Sequence, residues 1–147
     1  MLMTGSGHID AERAFTREAR ARRRAALARR LRRHPAVCGR LDIFDERSLH
    51  GSGSPPGGGV REIPLDAITG TLEPSRAAQF DANFRPVRRA LRTRWERIWI
   101  AEERGTTLPP ISVVPVGTMY AVRDGHHRVS VARARGAIAI DGVVDGF

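Results

Sequence analysis

Nine consecutive residues, Gly51-Ser-Gly-Ser-Pro-Pro-Gly-Gly-Gly59, offer no side chain that could anchor a hydrophobic core. Gly and Ser leave the backbone free, and the Pro-Pro step adds only local stiffness, so the stretch reads as a linker. Whatever folds must fold around it. The sequence therefore divides into an arm over 1–50, the linker over 51–59 and a compact domain over 60–147.

Charge divides near the same place. Every basic residue of the 147-residue chain is Arg, and residues 1–40 hold eleven of them against Asp10, Glu12 and Glu18, a net +8. Residues 41–147 carry only +1. Such asymmetry points to a polyanionic partner, and DNA contact is expected through residues 13–33. Ala, Arg, Glu and Leu dominate from Ile9 to about Arg33 and predict a helix, stopped at His34-Pro35. Phe15, Ala19, Leu27 and Leu31 form an apolar stripe that Arg23 interrupts. A stripe so broken does not decide whether the helix packs on the domain.

Several classes are excluded. No apolar run approaches the ~20 residues of a membrane span, and Met1 to Asp10 lack the apolar stretch of a secretory signal. The single cysteine, Cys38, rules out an internal disulfide framework and a Cys-cluster zinc site. A reducing, cytoplasmic setting is expected. A homodimer is left open.

After the linker the pattern predicts an α+β fold. Val60 to Leu65 reads as a strand, with Pro64 placing it near a sheet edge. Glu73-Pro-Ser-Arg76 opens a short helix, and Phe80 and Phe84 are core candidates. Pro86 to Arg104 reads as the main helix, with Val87, Leu91, Trp95, Ile98 and Ala101 on one face and Gly105 as its cap. Ile111–Val116 and Met119–Val122 form a hairpin, His126–Arg135 a helix closed by Gly136, and Ile138–Val144 a last strand.

The densest chemical signal is Asp124-Gly-His-His-Arg128, where a strand ends and a helix begins. A helix N-terminus presents free N–H groups and partial positive charge, and so attracts anions. Gly125 lets a ligand approach the backbone. His126, His127 and Arg128 would place three cations against the helix dipole, a cost that a bound phosphate offsets. Asp124 could hold Mg²⁺ or accept a proton. The same residues also suit a plain turn and helix start, with Arg128 paired to Asp124.

The runs Ile63–Ile68, Glu73–Arg76 and Leu108–Gly136 resemble the N-terminal domain of ParB chromosome-partition proteins, in the ParB/sulfiredoxin superfamily. The arm at 1–59 resembles that of small actinobacterial proteins labelled ParB-like, a family name that also carries a nuclease label. The resemblance implies a small mixed sheet with packed helices, preceded here by the Arg-rich helix. It implies a nucleotide of the CTP, ATP or ADP class with Mg²⁺, held by Gly125, His126, His127, Arg128 and Ser130, with Arg76 reaching the phosphates from a facing loop. Departures are visible. Partition proteins carry Gly-Glu-Arg-Arg-x-Arg where this chain has Gly125-His-His-Arg-Val-Ser130. Sulfiredoxins carry a catalytic Cys at the place of His126, so sulfinic-acid repair is not expected. Free-serine kinases of this fold use a Glu near Glu73, which implies an alternative: a small-molecule kinase or phosphohydrolase working through Asp124, His127 and Glu73. A third class, a non-catalytic interaction module, treats the turn as structural and gives the arm a protein partner.

Overall fold

The computed structural model describes residues 6–31, 40–49 and 59–145. Cys38 and linker residues 51–58 lie outside the described residues. The described part is the α+β architecture expected: a six-stranded mixed sheet with helices packed against it. In chain order these are α1 (Ser6–Leu31), β1 (Asp42–Ile43), β2 (Val60–Pro64), β3 (Ile68–Thr71), α2 (Pro74–Ala77), α3 (Arg92–Glu103), β4 (Ile111–Val116), β5 (Met119–Asp124), α4 (His126–Ala134) and β6 (Ala139–Val144).

The strands lie in the order β1-β3-β5-β4-β6-β2. β1, β3 and β5 run parallel, β5 turns through Gly117-Thr118 into antiparallel contact with β4, and β6 lies parallel to β4. β2 closes the far edge antiparallel to β6, the edge position Pro64 requires. β1 was not visible in the sequence. It is two residues long, and its seat is made by Gly70. A Cβ there would lie 2.5 Å from both the Asp42 carbonyl oxygen and the Phe44 ring. Residues 42–43, on the arm side of the linker, are thus part of the sheet.

Two hydrophobic clusters meet at α4. One lies against the sheet and gathers Ile63, Ile68, Phe80, Phe84, Ile111, Val122, Val129 and Ala132. The other joins α1, α3 and α4 through Ala11, Ala14, Phe15, Trp95, Trp99, Ile100 and Val131. Phe15 meets Trp95 edge-on at 5.6 Å between ring centroids, and Trp95 stacks on Trp99 at the same separation. Aromatic pairs of this kind add about 0.5–1.5 kcal/mol beyond the area they bury. The first half of α1 therefore belongs to the packed body, which the broken stripe left undecided. Its buried residues are Ala11, Ala14 and Phe15, at one-turn spacing, while Leu27 and Leu31 are exposed.

The main helix begins later than the periodicity predicts. Pro86 bridges to Phe80 and Val87 N–H donates to the Gln79 carbonyl, so this stretch is spent on a hairpin-like contact. A 3-10 turn over Arg89–Leu91 then leads into α3. Both helix ends expected at glycine are found. Thr106 N–H donates to Ala101 and Ala137 N–H to Ala132, with Gly105 and Gly136 in left-handed conformation.

Candidate functional site

β5 delivers Asp124 to the sheet end, and Gly125 turns the chain into α4 with φ of 105°. Gly125 provides no side-chain cap, so the first-turn N–H groups have no partner within the helix. The glycine is needed here for packing. A Cβ would lie 2.5 Å from Ile111 Cγ2 and 2.9 Å from Ile111 Cβ, so the close approach is to the core side of the turn.

His126 and His127 are both buried, at 4% and 5% exposure. Thr71 Oγ1 and His126 Nε2 share a hydrogen bond of 2.6 Å, and the same Oγ1 accepts from the Glu73 N–H at 2.9 Å. The start of α2, the end of β3 and the start of α4 are thereby tied at one atom. Phe80 stacks along His126 at 6.4 Å and meets His127 edge-on at 5.1 Å. His127 Nδ1 is buried without a hydrogen-bond partner among the described residues.

These surroundings set the charge. Burial, with Arg76 second, pushes His126 down to about 4, although Asp124 pulls the other way. Burial, then Arg94 and Arg76, pushes His127 down to about 4. Both rings are neutral at pH 7. The three cations expected at the helix start are not there: two of the candidates are uncharged, and the third is engaged elsewhere. Arg128 donates to the Pro109 carbonyl and, at 3.0 Å, to that of Pro110, while its other terminal nitrogen reaches Asp124 Oδ2 at 3.1 Å. It clamps the approach to β4. Asp124 is otherwise exposed, with its charge already matched by Arg128.

Ser130 also faces inward. Its Oγ accepts the Trp95 indole N–H at 2.8 Å, deep between α3 and α4, so it braces the helix pair. Glu73 lies exposed at the start of α2. Arg76 is half-buried and donates to Gln79 Oε1 at 2.9 Å, near enough to both His rings to oppose their protonation. Among the described residues no hydrogen bond or ion pair joins Asp124, His127 and Glu73, and no group of three metal-ligating side chains occurs. Asp124 alone does not make a Mg²⁺ site, since such sites draw on one or two carboxylates together with phosphate oxygens and water.

The structure thus gathers His126, His127, Arg76 and the Glu73 backbone on one side of the α4 start, and Asp124 with Arg128 on another. Thr71, Phe80 and Arg94 belong to this neighbourhood and were not read from sequence as site residues. Gly70-Thr71 lies in a four-residue strand too short to show alternation, and Arg94 comes from a helix whose start the periodicity misplaced.

No family model and no curated protein matches the chain. Among solved structures, a sulfiredoxin from Arabidopsis thaliana matches at 20% identity with a TM-score of 0.42, over 60% of this chain and 86% of that one. Likeness at this level leaves function to be argued from the site. No helix among the described residues is long and apolar enough to cross a membrane.

Proposed function

We propose that this is a ParB/sulfiredoxin-type domain whose α4 N-terminus binds the phosphates of a nucleotide of the CTP, ATP or ADP class. One observation carries the proposal: the first turn of α4 is uncapped, and Arg76 stands beside it. Free first-turn N–H groups, the helix dipole and a nearby guanidinium are the ingredients of a phosphate site. Neutral His126 and His127, buried beneath the turn, add no positive charge against the helix dipole and leave the phosphate contacts to the first-turn N–H groups and Arg76. Mg²⁺ would arrive on the nucleotide, with Asp124 as a single added ligand. Arg128 and Ser130 shape the turn and do not reach the phosphates.

Calorimetry with CTP, ATP and ADP in the presence of Mg²⁺ tests this. Saturable binding of at least one nucleotide is expected. Arg76→Ala is expected to weaken it tenfold or more, while circular dichroism shows the fold retained. The proposal is overturned if no nucleotide binds at millimolar concentration, or if the Arg76→Ala protein binds as well as the wild type.

A further inference from the structure

The basic residues of α1 are not spread around the helix. Arg13, Arg17, Arg20 and Arg24 recur at four, three and four residues, which places them on one face. That face is roughly opposite Ala11, Ala14 and Phe15, which dock on α3 and α4. Docking brings the basic face alongside a second wall that the sequence did not suggest. The stretch from Pro86 to Arg92 runs beside α1, and the cleft between them is lined by Arg20, Arg22 and Arg23 on one side and Arg88, Arg89 and Arg92 on the other. It continues into a second hollow along α1, again lined by Arg20 and Arg92.

Some of this charge is neutralised internally. Arg92 is held by Glu96 at 2.7 Å, with Glu12 at 3.9 Å, and Arg17 lies 3.8 Å from Glu18 and donates to the Ala134 carbonyl. Among the described residues no carboxylate pairs with Arg13, Arg20, Arg23, Arg24, Arg88 or Arg89. Six uncompensated guanidinium groups on two facing walls repel one another, and a row of phosphates relieves that repulsion.

We infer that this trough binds the phosphate backbone of duplex nucleic acid without reading its sequence. From Arg13 to Arg24 the helix rises about 16 Å, against 3.4 Å per phosphate along one strand of a duplex, so several phosphates fall within reach. Single strands are usually held by stacking bases on exposed aromatic rings. Among the described residues the only aromatic one lining the trough is Phe15, and it is buried against Trp95. Among the described residues no Asn or Gln lines the trough to read base edges. The site is separate from the nucleotide site and stands or falls without it. It differs from a free basic arm because a third of its uncompensated charge comes from residues 88 and 89.

The test is fluorescence anisotropy with a labelled 20-base-pair duplex of mixed sequence, read over a series of salt concentrations. Six contacts predict a slope of log K against log salt of about −5, from −0.9 per phosphate neutralised. The double variant Arg88→Ala/Arg89→Ala is expected to bring the slope to about −3.5 and weaken binding at low salt; Arg61→Ala, exposed on β2, is expected to change nothing. A second duplex of unrelated sequence is expected to bind equally. The inference is overturned if the Arg88/Arg89 variant binds like wild type, which would return the interaction to α1 alone. It is also overturned if no duplex binds at low salt, or if a poly-Glu peptide binds with equal affinity and slope.

Discussion

Acidification should loosen the start of α4 before it unfolds the rest of the chain. His126 and His127 have an ordinary value of 6.5 and sit at about 4 when folded, chiefly because they are buried. Above pH 6.5 both rings are neutral in folded and unfolded chains, and neither state gains. Below it the unfolded chain takes up protons that the folded one refuses, so stability falls with pH until the folded value is reached. At pH 5 the loss works out at about 2 kcal/mol for each ring, and about 4 kcal/mol for the pair. Urea denaturation at pH 7.5 and pH 5 reads this directly. His127→Leu is the informative variant. Its Nδ1 has no partner to lose, and it packs on the Phe80 edge. The variant should be nearly as stable as wild type at pH 7.5 and lose about 2 kcal/mol less on acidification. If wild type and variant lose the same amount between the two pH values, the rings are not held neutral by burial. The electrostatic account of the site would then be wrong.

Three further outcomes follow from the packing. Ser130→Ala leaves the Trp95 indole N–H buried and unpaired. It should cost about 1–3 kcal/mol in urea denaturation and leave nucleotide affinity unchanged in calorimetry. Gly125→Ala adds a Cβ against Ile111 at a residue with φ of 105°, and should lower the midpoint of unfolding by about 2–3 kcal/mol equivalent. Phe15→Ala removes the ring that meets Trp95 and should cost about 3 kcal/mol, with hydrogen-exchange protection lost first along α1.

Much of the fold is legible because its signals are local. The two glycine helix ends, the hairpin at Gly117 and the edge position of β2 each follow from a residue whose backbone chemistry admits few alternatives. What escaped depends on partners distant in sequence. β1 is two residues that pair only because Gly70 leaves room for Phe44. The docking of α1 relies on Ala11 and Ala14, small residues that give a weak apolar signal but allow close approach to Trp95. At the site, sequence marked a turn but not the electrostatics of that turn. The motif Asp124–Arg128 contains three residues able to carry positive charge. Only the fold reveals that two are buried beside other cations and that the third is tied to Pro109 and Pro110. Arg76, half-buried, replaces them as the source of charge, supplied by a helix of four residues.

The edges of the sheet give the Gly/Pro stretch a different meaning. β1 forms one edge and β2 the other, and the stretch lies between them in sequence. Five inter-strand spacings of about 4.8 Å separate those edges, so the chain from Ile43 to Val60 bridges roughly 24 Å. A protease that cuts within residues 51–58 would therefore not release a free arm. It would leave two fragments sharing one sheet and one aromatic cluster, held together as a non-covalent pair. The nicked protein should migrate as a single species until denaturant is added.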